Sequence, residues 1–329
     1  MTFDLSSAGI LPCQAIDTLI ATGAITSATP FDDIQVQPAS LDLRLGPKAW
    51  RVRASFLPGA RTVRERIDDV IMHPIELTSS GVVLEKGCVY IVELQERLKL
   101  PRGIQARANP KSSTGRVDVF VRLLTDRGPA FDDVAEGYDG PLYLEIVPQT
   151  FSILVRPGTR LNQLRLKVGD PPRLEVRDVG VDLTGEIAGF RGRRHAGVVD
   201  LDDVDGHDPR DFWEPLYARR GEIVLDPGEF YILVSKQPTE IPVDQAAEML
   251  PIDPAVGEFR VHYAGFFDPG FGVDEAHGKG AKSVRGPGGP GAGGSCGPGA
   301  ARPARLYGEG GSHYQRQGLK LSKHFRSWG

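Results

Sequence analysis

The chain has 329 residues, 40% of them hydrophobic and 25% charged, with a formal net charge of -4. That length predicts two domains, and the apolar content is enough for real cores. The acidic balance argues against a dedicated nucleic-acid binder, no run of about 18 apolar residues is present to span a membrane, and the N-terminus lacks the basic-then-apolar pattern of a secretory signal. Cys13, Cys88 and Cys296 lie far apart without a C-x-x-C pair, which fits a reducing cytoplasm and excludes a cysteine-built zinc site.

The first predicted element is a helix over "PCQAIDTLIAT" (12–22), with Pro12 near its start and Gly23 just beyond its end. From about residue 34 the pattern changes to short alternating segments separated by Gly, Pro and Asp. These are "SLDLRLG", "GVVLEKGCVYIVEL", "VDVFVRLL", "GPLYLEIV" and "FSILVRPGTRLNQLRL", and they predict an all-β sandwich or barrel. A second β-rich stretch runs from about 220 to 272. It echoes the first: "LEKGCVYI" (84–91) aligns with "LDPGEFYI" (225–232) at an offset of 141, and Leu100-Pro101 falls on Ile241-Pro242. "GRVDV" (115–119) matches "GEFRV" (257–261), and "GYDG" (137–140) matches "GFG" (270–272), so one β-fold is expected twice. The second copy carries Glu258 where the first has Arg116. Residues 286–299 hold eight glycines and three prolines, and no regular structure is expected across 280–304.

Two stretches carry candidate chemistry. "NPKSSTGR" (109–116) concentrates two cations and three hydroxyls; taken alone it reads as a solvated turn or as an anion site. In "GPLYLEIV", alternation puts Leu142, Leu144 and Ile146 on one face and Tyr143, Glu145 and Val147 on the other. A carboxylate in so apolar a strand is either an exposed-face residue or a partly desolvated group suited to general-base work. The seven histidines show no H-x-E or H-x-x-x-H arrangement, and no P-loop is present.

"QPASLDLRLG" (37–46), "PKSSTGR" (110–116), "GYDGPLYLEI" (137–146) and "RPGTRLNQL" (156–164) occur in the order seen in the dCTP deaminase and dUTPase superfamily, and the tail "LYGEGGSHYQRQG" (306–318) resembles the deaminases' C-terminal segment. The chain resembles long deaminases with a second, degenerate copy before that tail. The resemblance implies a dUTPase-like distorted β-barrel or jelly roll with a few short helices. Its expected divisions are a catalytic domain over 1–175, a degenerate copy over 176–279, the low-complexity segment 280–304, and a nucleotide-closing tail over 305–329.

It also implies hydrolytic deamination of dCTP to dUTP and ammonia, supplying dUTP or dUMP for thymidylate synthesis. The alternatives are a bifunctional enzyme releasing dUMP and pyrophosphate, or an inactive nucleotide-binding regulator. Glu145 matches the family's catalytic base, while Ser112 and Arg116 match groups that orient water and stabilise charge. Lys111, Ser113, Thr114, Gly115, Thr125, Arg127, Tyr143, Leu144, Gln163, Tyr307, His313 and Gln317 match substrate contacts. Mg²⁺ is expected on the triphosphate with no protein side-chain ligand, and zinc is not expected. A cytoplasmic homotrimer is implied, with dTTP as a possible inhibitor and neither nucleic acid nor membrane as partner. Some positions depart from the pattern: Lys111 replaces Arg, Tyr138 replaces Trp, His313 stands for a phosphate-contacting Lys, and Ala135 stands where a sugar-recognising Asp is usual. About six extra residues lie between "LLTDRG" and "EGYDG".

Overall fold

The computed structural model describes residues 8–169, 175–236, 239–250, 266–272, 292–298, 303–305, 307 and 319–329. The first part of the chain comprises, in order, β1 (Gly9–Ile10), α1 (Cys13–Ala21), β2 (Ile25–Ser27), β3 (Val36–Gln37), β4 (Ser40–Val52), α2 (Val63–Val70), β5 (Ile71–Glu76), β6 (Val82–Leu84), β7 (Val89–Lys99), β8 (Ile104–Pro110), α3 (Ser112–Gly115), β9 (Val119–Thr125), β10 (Asp133–Val134), β11 (Asp139–Pro148), β12 (Ile153–Val155) and β13 (Arg160–Val168). The second part adds β14 (Glu175–Val179), β15 (Gly189–Gly192), β16 (Val199–Asp200), α4 (Pro209–Phe212), β17 (Trp213–Leu216), β18 (Tyr231–Leu233), β19 (Gln245–Leu250), β20 (Phe266–Phe267) and β21 (Ala292–Pro298).

The all-β expectation holds. The main sheet runs β10-β8-β13-β4-β7-β11-β9 and curls into a nearly closed barrel. Strand β4 serves both halves of that curl. Its first residues pair with β13, and after an irregularity between Leu45 and Ala49 its later ones pair with β7. Gly46 makes the change of partner possible, because a Cβ there would lie 2.6 Å from the Glu93 carbonyl oxygen. Leucines 41, 43 and 45 all point into the principal core, where they meet Leu142, Leu144 and Ile146 of β11.

Helix α1 forms where its spacing predicts and buries Cys13, Ile16 and Leu19. Helix α2 went unpredicted although "TVRE" (62–65) is a capping-box pattern: Thr62 accepts from the Glu65 N–H, and Glu65 caps the Thr62 N–H in return. Asp126 adds a second anchor by accepting from the Val63 N–H at 2.8 Å.

Equivalent bonds recur in the second part, most of their residues at the offset of 141. The Glu85 N–H donates to the Tyr90 hydroxyl at 3.0 Å, and the Asp226 N–H to the Tyr231 hydroxyl at 2.8 Å. Gly87 and Gly228 both turn through the left-handed region, at φ 74° and 76°. The Leu100 N–H meets the Tyr138 carbonyl and the Ile241 N–H meets the Phe271 carbonyl, each at 2.9 Å. Glu258 and its surroundings lie outside the described residues.

The two parts interlock. Strand β16 pairs with β12, and Phe212, Trp213, Leu321 and Phe325 belong to the same core as the first part's leucines. One expectation needs correction. Residues 292–298, inside the stretch expected to lack regular structure, form β21 between β14 and β19, because backbone ladder bonds need no side chain and glycine can supply them. Residues 319–329, in the stretch expected to be part of a closing tail, anchor on the core: Leu321 and Phe325 are buried, and Trp328 packs against Phe190.

Candidate active site

The hydroxyl- and cation-rich motif becomes a tight, largely buried turn. Strand β8 ends at Pro110, opposite Asn162 on β13. The Lys111 N–H and the Thr114 hydroxyl both donate to the Leu161 carbonyl, at 2.9 and 2.7 Å, which pins α3 to β13. Ser113, Thr114 and Gly115 are buried, as is Arg116. The solvated-turn reading is therefore excluded: a surface turn would not bury a guanidinium and two hydroxyls.

The C-terminal segment braces this turn. Arg116 donates to the Lys320 carbonyl at 2.6 Å, and the Ser322 hydroxyl to the Ser113 carbonyl at 3.0 Å. The Lys111 ammonium pairs with the buried Asp42 carboxylate, whose Oδ1 has no hydrogen-bond partner. Arg44, two residues along the same strand, pairs at 2.8 Å with Glu96, itself buried and bonded to Gln35. Asp268 from the second part reaches the same region. It lies 3.6 Å from Arg165, whose guanidinium covers the Phe266 ring, and its carboxyl is held above the usual range chiefly by burial. Lys323 is pushed down by burial and by the neighbouring Lys111 charge.

Glu145 is fully buried. It shares a face with Tyr143 next to a second apolar cluster that includes Trp50, Phe56, Ile67, Ile91 and Leu124. The register sets it opposite Ile91 on β7 and Arg122 on β9. Its Oε1 accepts from Arg122 Nε at 2.9 Å and Nη2 at 2.5 Å, while Oε2 is buried with no partner. The exposed-face alternative for Glu145 falls.

Glu145 sits across from Arg122, six residues beyond Arg116, and the strand steps from Val119 to Arg122 alone span about 10 Å.

The other expected residues divide between these two regions. Gln163 is buried on β13 and Ser40 approaches it at 3.5 Å. Thr125 is buried at the end of β9, and Arg127 follows in the left-handed region at φ 58°, its N–H donating to the Arg61 carbonyl. Tyr143 lies on the Glu145 face and Leu144 in the main core, and burial raises the Tyr143 hydroxyl. Tyr138 is structural: its hydroxyl donates to the Pro141 carbonyl and accepts from the Asp126 N–H, and burial pushes it up to about 12. Tyr307 packs on Phe271 with ring centroids 5.0 Å apart. His313 and Gln317 lie outside the described residues. Near Ala135, Asp133 is exposed, while Asp132 accepts the Leu123 N–H at 2.7 Å and is raised to about 7 chiefly by burial.

Sequence reasoning missed Asp42, Arg122 and Asp268. Each is visible only once strand register and the packing of the two parts are known. Among the described residues, no group of three or more His, Cys, Asp or Glu could hold a metal ion, and no helix is long and apolar enough to cross a membrane.

Known proteins resemble this chain along most of its length. A model of the 2′-deoxycytidine 5′-triphosphate deaminase N-terminal domain matches residues 7–170, and the corresponding C-terminal domain model matches 174–286 and 297–325. A crystal structure of 2′-deoxycytidine 5′-triphosphate deaminase from Agrobacterium tumefaciens superposes with a TM-score of 0.83 at 46% identity, covering 90% of this chain and 99% of that one. The dUMP-forming dCTP deaminase of Halobacterium salinarum is 29% identical over 163 residues, 47% of this chain and 78% of the relative. A dCTP deaminase of Halorubrum lacusprofundi is 28% identical over 139 residues, 41% of this chain and 66% of the relative. With both of its parts matched by that family's models, the chain belongs to the 2′-deoxycytidine 5′-triphosphate deaminase family.

Proposed function

We propose that the protein deaminates dCTP hydrolytically, giving dUTP and ammonia, at a site built around the α3 turn. The observation that carries this reading is the arrangement of that turn in a chain of this family. Lys111, Ser112, Ser113 and Arg116 are gathered there by β8, β13 and the C-terminal segment. Lys111 and the two serines contact the triphosphate, which brings its own Mg²⁺. Ser112 and Arg116 orient the attacking water and stabilise charge at C4 of cytosine. Glu145 takes the proton from that water and passes it to departing ammonia.

Glu145 is bound to Arg122 across β9, while Arg116 is bound to the C-terminal segment, and we propose that the base acts on a nucleotide held by another copy, within a homotrimer. Complementation tests this. Ser112→Ala and Glu145→Gln chains, each inactive alone, regain activity when co-expressed, since roughly a quarter of randomly paired sites are then intact. Mixtures as inactive as their parents refute the shared site.

A second reading, release of dUMP and pyrophosphate, is favoured by the dUMP-forming relatives. Incubation with dCTP and Mg²⁺ separates the readings: ammonia with dUTP supports the first, ammonia with pyrophosphate supports the second. Binding without ammonia release leaves a nucleotide-binding regulator. We further propose a cytoplasmic location and feedback by dTTP, which a dCTP turnover assay with added dTTP tests.

A further inference from the structure

Glu145 is closed in by the fold: no solvent reaches it, and one of its two oxygens is engaged by two donors. The group that engages it is Arg122, which stands directly across the ladder on β9. Arg122 is itself held from three directions. Its Nη2 donates to the Ser55 hydroxyl at 2.7 Å, its guanidinium carbon lies 3.6 Å from the centre of the Phe131 ring, and the Phe120 ring stands 4.8 Å away. Phe131 belongs to the extra residues between "LLTDRG" and "EGYDG", and the next residue, Asp132, is tied down by the Leu123 N–H. The extra segment thus delivers an aromatic ring onto the guanidinium.

These contacts make the two carboxylate oxygens unequal. Oε1 receives both Arg122 donors, while Oε2 is buried and has no partner. An unsatisfied buried carboxylate oxygen is costly, and such an atom is the natural place for a water or substrate hydrogen. The Arg122 side chain is 25% exposed where Glu145 is not exposed at all, so the guanidinium lies between the carboxylate and solvent.

We propose that Arg122 is the positioning residue for the catalytic carboxylate. It anchors Oε1, fixes the plane of the carboxylate and leaves Oε2 as the atom that accepts the proton from water, and Phe131 holds the guanidinium in that orientation. Ser55, from the segment that precedes α2, completes the cradle. The proposal rests on the reading of Glu145 as the base.

The experiment compares Arg122→Gln, Arg122→Lys and Phe131→Ala with Glu145→Gln under steady-state dCTP turnover, with folding checked by circular dichroism. Misaiming a reacting group costs roughly 10²-fold, so Arg122→Gln should lower kcat by about that factor while KM for dCTP changes less than about threefold. Arg122→Lys keeps the charge but loses the two-pronged grip, and should recover part of the loss. Phe131→Ala should lower kcat by about tenfold, again with little change in KM.

If Glu145→Gln is inactive but Arg122→Lys and Phe131→Ala both turn over at the wild-type kcat, the positioning role is overturned while the base survives. If Glu145→Gln retains wild-type turnover, the reading of the base itself is wrong. If Arg122→Gln fails to fold, the Lys and Phe131 variants decide the matter. A fall in KM-normalised turnover that merely tracks the folded fraction also overturns the role.

Discussion

Asp132 gives the most quantitative test of the site's electrostatics. Burial raises its carboxyl from 3.8 to about 7, against the opposing influence of the Leu123 N–H and of Arg107 and Arg122. Below about pH 4 the group is protonated whether the chain is folded or not. Between 4 and 7 the unfolded chain ionises it while the folded chain keeps its proton, so stability falls as pH rises by ~1.4 kcal/mol per pH unit. Above 7 the folded protein carries a half-buried carboxylate and the loss levels off at ~4 kcal/mol. Asp132→Asn keeps an oxygen for the Leu123 N–H and removes the titration. Urea unfolding of both proteins at pH 5 and pH 8 should therefore show the variant gaining ~3 kcal/mol relative to the parent between the two conditions. Other titrating groups are common to both proteins and cancel in the difference. A difference that is the same at both pH values would refute the assignment of a raised Asp132.

His324 titrates with the opposite sign. Burial pushes it down to about 3, so the fold must keep it neutral while the unfolded chain protonates near 6.5. Its contribution is complete above that pH and is lost as pH falls, by ~1.4 kcal/mol per unit, so His324→Gln should lessen the parent's acid sensitivity in unfolding curves between pH 6 and pH 4. Phe325→Ala removes a buried ring that contacts Phe212 at 5.2 Å and Trp213 at 5.7 Å, and should cost ~3–5 kcal/mol in denaturant unfolding. A loss under ~1 kcal/mol would mean that the C-terminal segment is not part of the core.

The alternation of "GPLYLEIV" sufficed to sort Glu145 from its apolar neighbours, because a strand's side chains change face at every residue whatever lies beside it. The same logic made the barrel strands and α1 legible. What alternation leaves open is what each face meets. Whether Glu145 would be solvated or paired depended on β9 lying alongside in a register that sets Arg122 opposite, and a one-residue slip would have put Phe120's face elsewhere. Likewise "SLDLRLG" reads as a strand, but that Asp42 would hold Lys111 and Arg44 would hold Glu96 follows from which strands flank it.

The sequence by itself determined the all-β class, the internal echo at an offset of 141, and the order of the motifs that mark the family, since all of these are written in local spacing. Tertiary structure alone decided three further matters. It set Arg122 opposite Glu145, because strand register fixes neighbours that motif order does not. It drew the C-terminal residues into the core, because Leu321 and Phe325 find apolar partners only where the two parts meet. And it made a strand of a glycine-rich segment, because backbone hydrogen bonds to neighbouring strands can fix a chain whose side chains specify nothing.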